Sequence, residues 1–147
     1  MMQALLTAIQ EELQTEMADD VRPLDIFIAP HINYIPASVR LPCIGIKDGP
    51  IQRIELIGGQ IGYSAQVKIV IYVSLKKDSA SIMGDESTEQ KGVLGLAADI
   101  HTALHQNTLA ITGLHSAFCR AETEAEIVSD ETNSVVRKIL TYTYEQE

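Results

Sequence analysis

A chain of 147 residues has the length of one domain, and no linker divides it, so a single compact unit spanning 1–147 is expected. Hydrophobic residues make up 46% and charged residues 21%, which supplies enough apolar surface for a core and excludes disorder throughout. Eleven basic against 20 acidic residues leave a net charge of −9, the wrong sign for holding nucleic acid through its phosphates.

The opening residues place Leu5, Ile9, Leu13 and Met17 at spacing four, with Gln10, Glu11, Gln14 and Thr15 on other faces. That spacing predicts an amphipathic helix ending near Asp19 or Asp20, because Arg22 precedes Pro23 and the residue before proline avoids helical geometry. The same stretch has no basic leader and turns acidic within a dozen residues, so it is not expected to be a secretory signal. Leu24 to Ala29 reads as a strand. Pro30, Pro36 and Pro42 then break the chain into short extended pieces suited to a sheet edge or an irregular arm.

Extended structure is predicted to resume at Cys43, with strands over Ile51 to Ile57 and Ile61 to Leu75 joined by a Gly58-Gly59 turn. In the second of these, Val67, Ile69, Ile71, Val73 and Leu75 alternate with Lys68, Val70, Tyr72 and Ser74, which predicts one wholly apolar face. The longest apolar stretch, Val67 to Leu75, is interrupted by Lys68 and Ser74 and falls short of the roughly 20 residues that span a bilayer, so no membrane partner is expected. Lys76 to Gly92 is polar and long for an unstructured connection; Ile82 and Met83 are its large apolar residues and are predicted to anchor an assembly loop, mobile until a neighbour supplies a groove.

A second helix is predicted from about Glu89 to Gln106, with Val93, Leu96, Ala97, Ile100 and Leu104 on one stripe and Asn107 as a cap. Two strands, Ser116 to Val128 and Ser134 to Tyr144, flank the polar connection from Ser129 to Asn133. Alternation in the first puts Arg120, Glu122, Glu124 and Glu126 on one face and Cys119, Ala121, Thr123, Ala125 and Ile127 on the other. The fold class expected is α+β, an antiparallel sheet with two helices packed on one face.

Few residues suggest chemistry. His101 and His105 at i, i+4, followed by His115 and Cys119 at the same spacing, are residue types that zinc accepts. Thr102, Ala103 and Leu104 stand between the histidines, with no catalytic glutamate, and the competing reading is a pair of solvated histidines favoured by a helix C-terminus. A Cys119-His nucleophilic pair lacks a local activating context, and Cys43 and Cys119 read as reduced thiols. Gly58-Gly59-Gln60-Ile61-Gly62 lacks the Lys-Ser/Thr ending of a phosphate loop. Glu122, Glu124 and Glu126 form an acidic face that is expected to stay in solvent, and no tryptophan offers a stacking platform. No catalytic set, cofactor site or metal site is expected.

The order of segments, MMQALLTAIQEEL, the Pro-broken pieces, QVKIVIYVSL, a polar loop, KGVLGLAADIHTALHQ and the closing SVVRKILTYTYE, resembles the tail terminator (tail completion) proteins of tailed bacteriophages and prophages. The resemblance covers nearly the whole chain and rests on the order of elements. It implies a non-enzymatic virion protein of the tail neck, assembled in the host cytoplasm, that closes into a hexameric ring. Such a ring would cap the tail tube, end its polymerisation and meet the head connector. An acidic lumen carrying Glu122, Glu124 and Glu126 would let DNA pass without tight binding. The alternatives are a head-completion or connector protein of the same neck, or a small metal-binding module built on His101, His105, His115 and Cys119.

Overall fold

The computed structural model describes residues 1–75, 79–85, 87–129 and 134–146. Helix α1 (Met2–Glu16) leads into a 3-10 turn (Pro23–Asp25) and strand β1 (Ile26–Ile28). Strands β2 (Cys43–Glu55) and β3 (Ile61–Ser74) form a long hairpin. A helical turn α2 (Ala80–Met83) and helix α3 (Val93–Leu104) follow, and β4 (Leu114–Glu122), β5 (Glu126–Ser129) and β6 (Ser134–Gln146) complete the sheet. Its strand order is β1-β2-β3-β6-β4, with β5 also paired to β6. All pairings are antiparallel except β1 with β2, so the expected α+β class with a mainly antiparallel sheet is the fold observed.

The helices form where the apolar period of the sequence places them. Leu5, Ile9, Leu13 and Met17 are all buried, as are Val93, Leu96, Ala97, Ile100 and Leu104. Both stripes pack on one sheet face, against Ala65, Val67, Ile69 and Ile71 of β3 and Val136, Leu140, Tyr142 and Tyr144 of β6. Each aliphatic side chain so buried contributes roughly 1.5–3 kcal/mol. Helix α3 starts at Val93, later than Glu89, because Asp85 and Gln90 pair as an isolated bridge and Gly92 has extended backbone. At its other end the Asn107 side chain donates to the Ala103 carbonyl at 2.9 Å and accepts from Leu109 N at 2.9 Å, the capping role its position implies.

The second sheet face is also covered, which β3's alternation alone does not predict. Cys43, Val70, Tyr72, Val135 and Ile139 are buried there beneath Ile32, Val39 and Leu41 of the proline-rich arm. The Tyr72 hydroxyl donates to the Ile32 carbonyl. The arm is tied at its base by Asp25, whose carboxylate accepts from Arg22 at 2.8 and 2.9 Å and from the Arg40 backbone N–H at 3.0 Å. Leu24, expected in a strand, lies in the 3-10 turn, since Pro23 opens a helical turn with its fixed φ. Strand β2 is longer than expected because the pairing continues across Gly49-Pro50 by a register shift between Asp48 and Ile51. Gly58 and Gly59 adopt φ of 87° and 79° in the expected turn at the tip of the β2–β3 hairpin.

Candidate functional site

The acidic strand is the first place where the structure departs from simple alternation. Cys119 pairs with Tyr142 and Ala121 with Thr141, so two residues of β4 stand against one of β6. Glu122 then pairs with Leu140 and Glu126 with Arg137, so four residues are set against three. Each extra residue reverses which face the following side chains meet. Glu122 accordingly lies on the helix-covered face, its Oε2 3.2 Å from Lys138 Nζ, while Glu126 lies on the opposite face, 2.7 Å from an Arg137 guanidinium nitrogen. Residues 137 and 138 are neighbours on β6 and point to opposite sides. The expected single acidic face of Glu122, Glu124 and Glu126 is therefore split, although all three remain exposed.

The bulge between β4 and β5 is built by Thr123. Its N–H donates to the Ile139 carbonyl at 2.9 Å, its Oγ1 accepts from Ile139 N at 2.9 Å, and its carbonyl accepts from Lys138 Nζ at 2.6 Å. Lys138 is only 5% exposed and has Glu122 as its counter-charge. The connection expected from Ser129 to Asn133 lies, beyond Ser129, outside the described residues.

The four candidate metal ligands are not gathered. His101 and His105 stack with ring centroids 4.6 Å apart, and His101 Nδ1 lies 3.2 Å from the Tyr142 hydroxyl. His115 is exposed on β4. Cys119 shares a shallow groove with His101 between α3 and β4, where its thiol donates to the Ala121 carbonyl at 3.5 Å. Among the described residues, no group of three or more His, Cys, Asp or Glu side chains could hold a metal ion. His115, at the register shift between Leu114 and Ser116, is exposed, so the four residues that the metal-module alternative needs are not brought together.

Burial, and then the charge of Glu122, push the Cys119 thiol above its ordinary range, the reverse of what a nucleophile needs. Burial pushes Cys43 up to about 12, again favouring the protonated thiol. Both cysteines are free.

The expected assembly loop contains the turn of α2 and the Asp85–Gln90 bridge. Met83 N donates to the Ser79 carbonyl at 2.7 Å, closing the turn of α2, and the Ser81 hydroxyl donates to the Ser74 carbonyl at 3.0 Å. A Cβ on Gly92 would lie 2.4 Å from the Ile82 carbonyl carbon, so the backbones of these two segments touch. Ile82 and Met83 are nonetheless 38% and 71% exposed. Residues 76–78 and 86 of the expected loop lie outside the described residues. Sequence reasoning missed a further apolar surface at the tip of the β2–β3 hairpin, where Ile54 and Ile61 are half-exposed and Ile57 is fully exposed. Three isoleucines around a Gly-Gly turn were the signal available for it.

No protein-family model matches the sequence, and no functionally curated protein matches it. The fold is similar to that of a solved chain from the virion of a native gene transfer agent particle, with a TM-score of 0.56 and 14% identity. That similarity covers 97% of this chain and 94% of the other. Among the described residues, no helix is long and apolar enough to cross a membrane.

Proposed function

We propose that the chain is a structural protein of a phage-like particle, a tail terminator whose copies close into a hexameric ring on the end of the tail tube. The ring stops tube polymerisation and offers its other face to the head connector. The observation that carries this reading is the correspondence of fold with a chain of the gene transfer agent virion over 97% of this chain and 94% of the other.

Several features support it. The thiols are held protonated by burial, and the one histidine cluster ends in a tyrosine hydrogen bond, so the reading assigns the protein no catalysis and no cofactor. A net charge of −9 suits a conduit through which DNA moves without being held. The place of action is the tail neck of the virion, after assembly in the host cytoplasm. Ile82 and Met83, exposed on a short turn braced by Gly92, are assigned to contact with the tube or a neighbouring copy.

The test is to mix the purified protein with tail tubes and image the ends by electron microscopy. Sixfold caps on tube ends, with tubes that no longer elongate, are the expected result. Protein that binds isolated head connectors and ignores tube ends would move the assignment to the connector side of the neck. Protein that forms no ring and binds neither would overturn it.

A further inference from the structure

We propose that the tip of the β2–β3 hairpin is a knob that inserts into a groove between α1 and β1 of the next copy of the chain, joining copies head to tail. The inference deepens the ring reading and rests on it for closure; the contact itself is argued from the following geometry.

The tip exposes isoleucine on both sides, with Glu55 on the same face as Ile61. Ile54 pairs with Gly62 and Glu55 with Ile61, so Ile54 and Ile61 lie on opposite faces of the hairpin, with Ile57 exposed between them. A ribbon with isoleucine exposed on one face can lie flat on a partner, whereas isoleucines on both faces are covered together only by insertion. Nothing lies within 4 Å of where a Cβ on Gly58 or Gly59 would sit, so the tip stands clear of its own fold.

The groove has the complementary character. Ala4 and Ala8 of α1, the half-buried Leu6 and the exposed Ile28 of β1 line a depression of about 680 Å³ together with Gln3, Thr7 and Glu11. Arg53 lies beside the knob with its guanidinium 5.8 Å from the Tyr63 ring, and Glu11 is exposed. Neither has an ion-pair partner among the described residues. Insertion would bring this cation and this carboxylate to the same rim, with Glu55 on the Arg53 face nearer the tip, in a chain whose net charge of −9 otherwise opposes self-association.

The knob cannot fill its own groove. Ile28 pairs with Ile46, and the strand from Ile46 to Glu55 carries the tip about 30 Å away at roughly 3.3 Å per residue. The sheet edges offer poor alternatives. The outer edge of β2 carries Lys47, a register shift and Pro50; the β4–β5 edge is broken by register shifts and lined by glutamates. A knob and a hole at different places on one molecule generate a head-to-tail contact, which closes into a ring when the rotation permits.

Sedimentation velocity on the full chain tests the contact. Self-association of the wild-type protein is expected, and Ile57→Asp, at a fully exposed position that leaves the fold intact, should weaken it about tenfold or more. Arg53→Glu and Glu11→Arg should each assemble poorly alone, and an equal mixture of the two should recover assembly, since each knob then meets a groove of opposite charge. Wild-type protein that stays monomeric at high concentration, assembly that survives Ile57→Asp, or a mixture that fails to recover would each overturn the contact. Rings that still cap tube ends with Ile57→Asp would reject the knob while leaving the tail-cap reading standing; wild-type assembly that Ile57→Asp abolishes, in a protein with no affinity for tubes, would support the knob and reject only the cap.

Discussion

Lys138 Nζ donates to the Thr123 carbonyl at 2.6 Å, and through that bond a buried cation holds the bulge that separates β4 from β5. Glu122, 3.2 Å away, supplies the counter-charge. Replacing Lys138 with Met keeps the apolar stem but leaves the Thr123 carbonyl and the Glu122 carboxylate without their donor. We expect a loss of about 1–3 kcal/mol, read as a lower urea midpoint. An unchanged midpoint would mean that the two Thr123–Ile139 hydrogen bonds suffice to hold the bulge.

Asp25 links folding to acid. The Arg22 guanidinium, first, and the Arg40 backbone N–H hold its carboxyl below the ordinary value of 3.8, against the opposing effect of burial. A depressed folded pKa contributes stability that is full above the unfolded value and is lost as pH falls from about 3.8 through the lower folded one. Because Arg40 belongs to the arm over Tyr72 and Cys43, acid should release the arm first, exposing residues 30–42 to proteolysis. Asp25→Asn should lower stability at neutral pH and flatten its decline in this acid window. A variant whose acid profile matches the wild type would remove Asp25 from the linkage.

The two long helices are legible in the sequence because a 3.6-residue period in Leu5, Ile9, Leu13 and Met17 survives whatever the helix packs against. The β2–β3 hairpin is legible for a similar reason, since only glycine tolerates the backbone of Gly58 and Gly59 so readily. The arm over the second sheet face is not, because Ile32, Val39 and Leu41 follow no period and are placed by three separate tethers: Asp25, Tyr72 and the apolar patch itself. The acidic strand misleads for a definite cause. Alternation assumes one residue per partner, and the bulge at Thr123 inserts one more between Glu122 and Glu126, so the two end on opposite faces. The split of the four metal candidates is equally invisible in spacing, which carries no information on how far β4 lies from the end of α3.

Gly92 and Gly95 should respond to alanine with opposite signs. At Gly92 a Cβ would meet Ile82 carbonyl atoms at 2.4 Å and Gly84 N at 2.6 Å, all backbone, so α2 or the start of α3 must move. The expected cost is about 1–3 kcal/mol. At Gly95, inside α3, the nearest atoms are those of the Lys91 side chain from 3.4 Å, an ordinary van der Waals contact, and replacing a helical glycine should stabilise by about 0.5–1 kcal/mol. Thermal melts of the two variants decide the matter. Equal shifts of the same sign would mean that the Ile82–Gly92 contact does not constrain the fold.

Among the three glutamates, Glu124 isolates the electrostatic role proposed for the acidic strand. Glu122 and Glu126 each face a basic residue of β6, so reversing either sets lysine against Lys138 or Arg137 and confuses stability with DNA contact. Glu124 sits in the exposed stretch between β4 and β5 and has no ion-pair partner among the described residues. Glu124→Lys should therefore change stability by no more than about 0.5 kcal/mol. In an assembled ring it places one new cation per copy where the conduit reading puts the lumen, and these converge on any DNA inside. Assembled Glu124→Lys rings should then retain double-stranded DNA at low salt and release it as salt rises, while wild-type rings retain none. Retention no greater than wild type at the lowest salt, from rings that assemble normally, would take Glu124 out of the lumen.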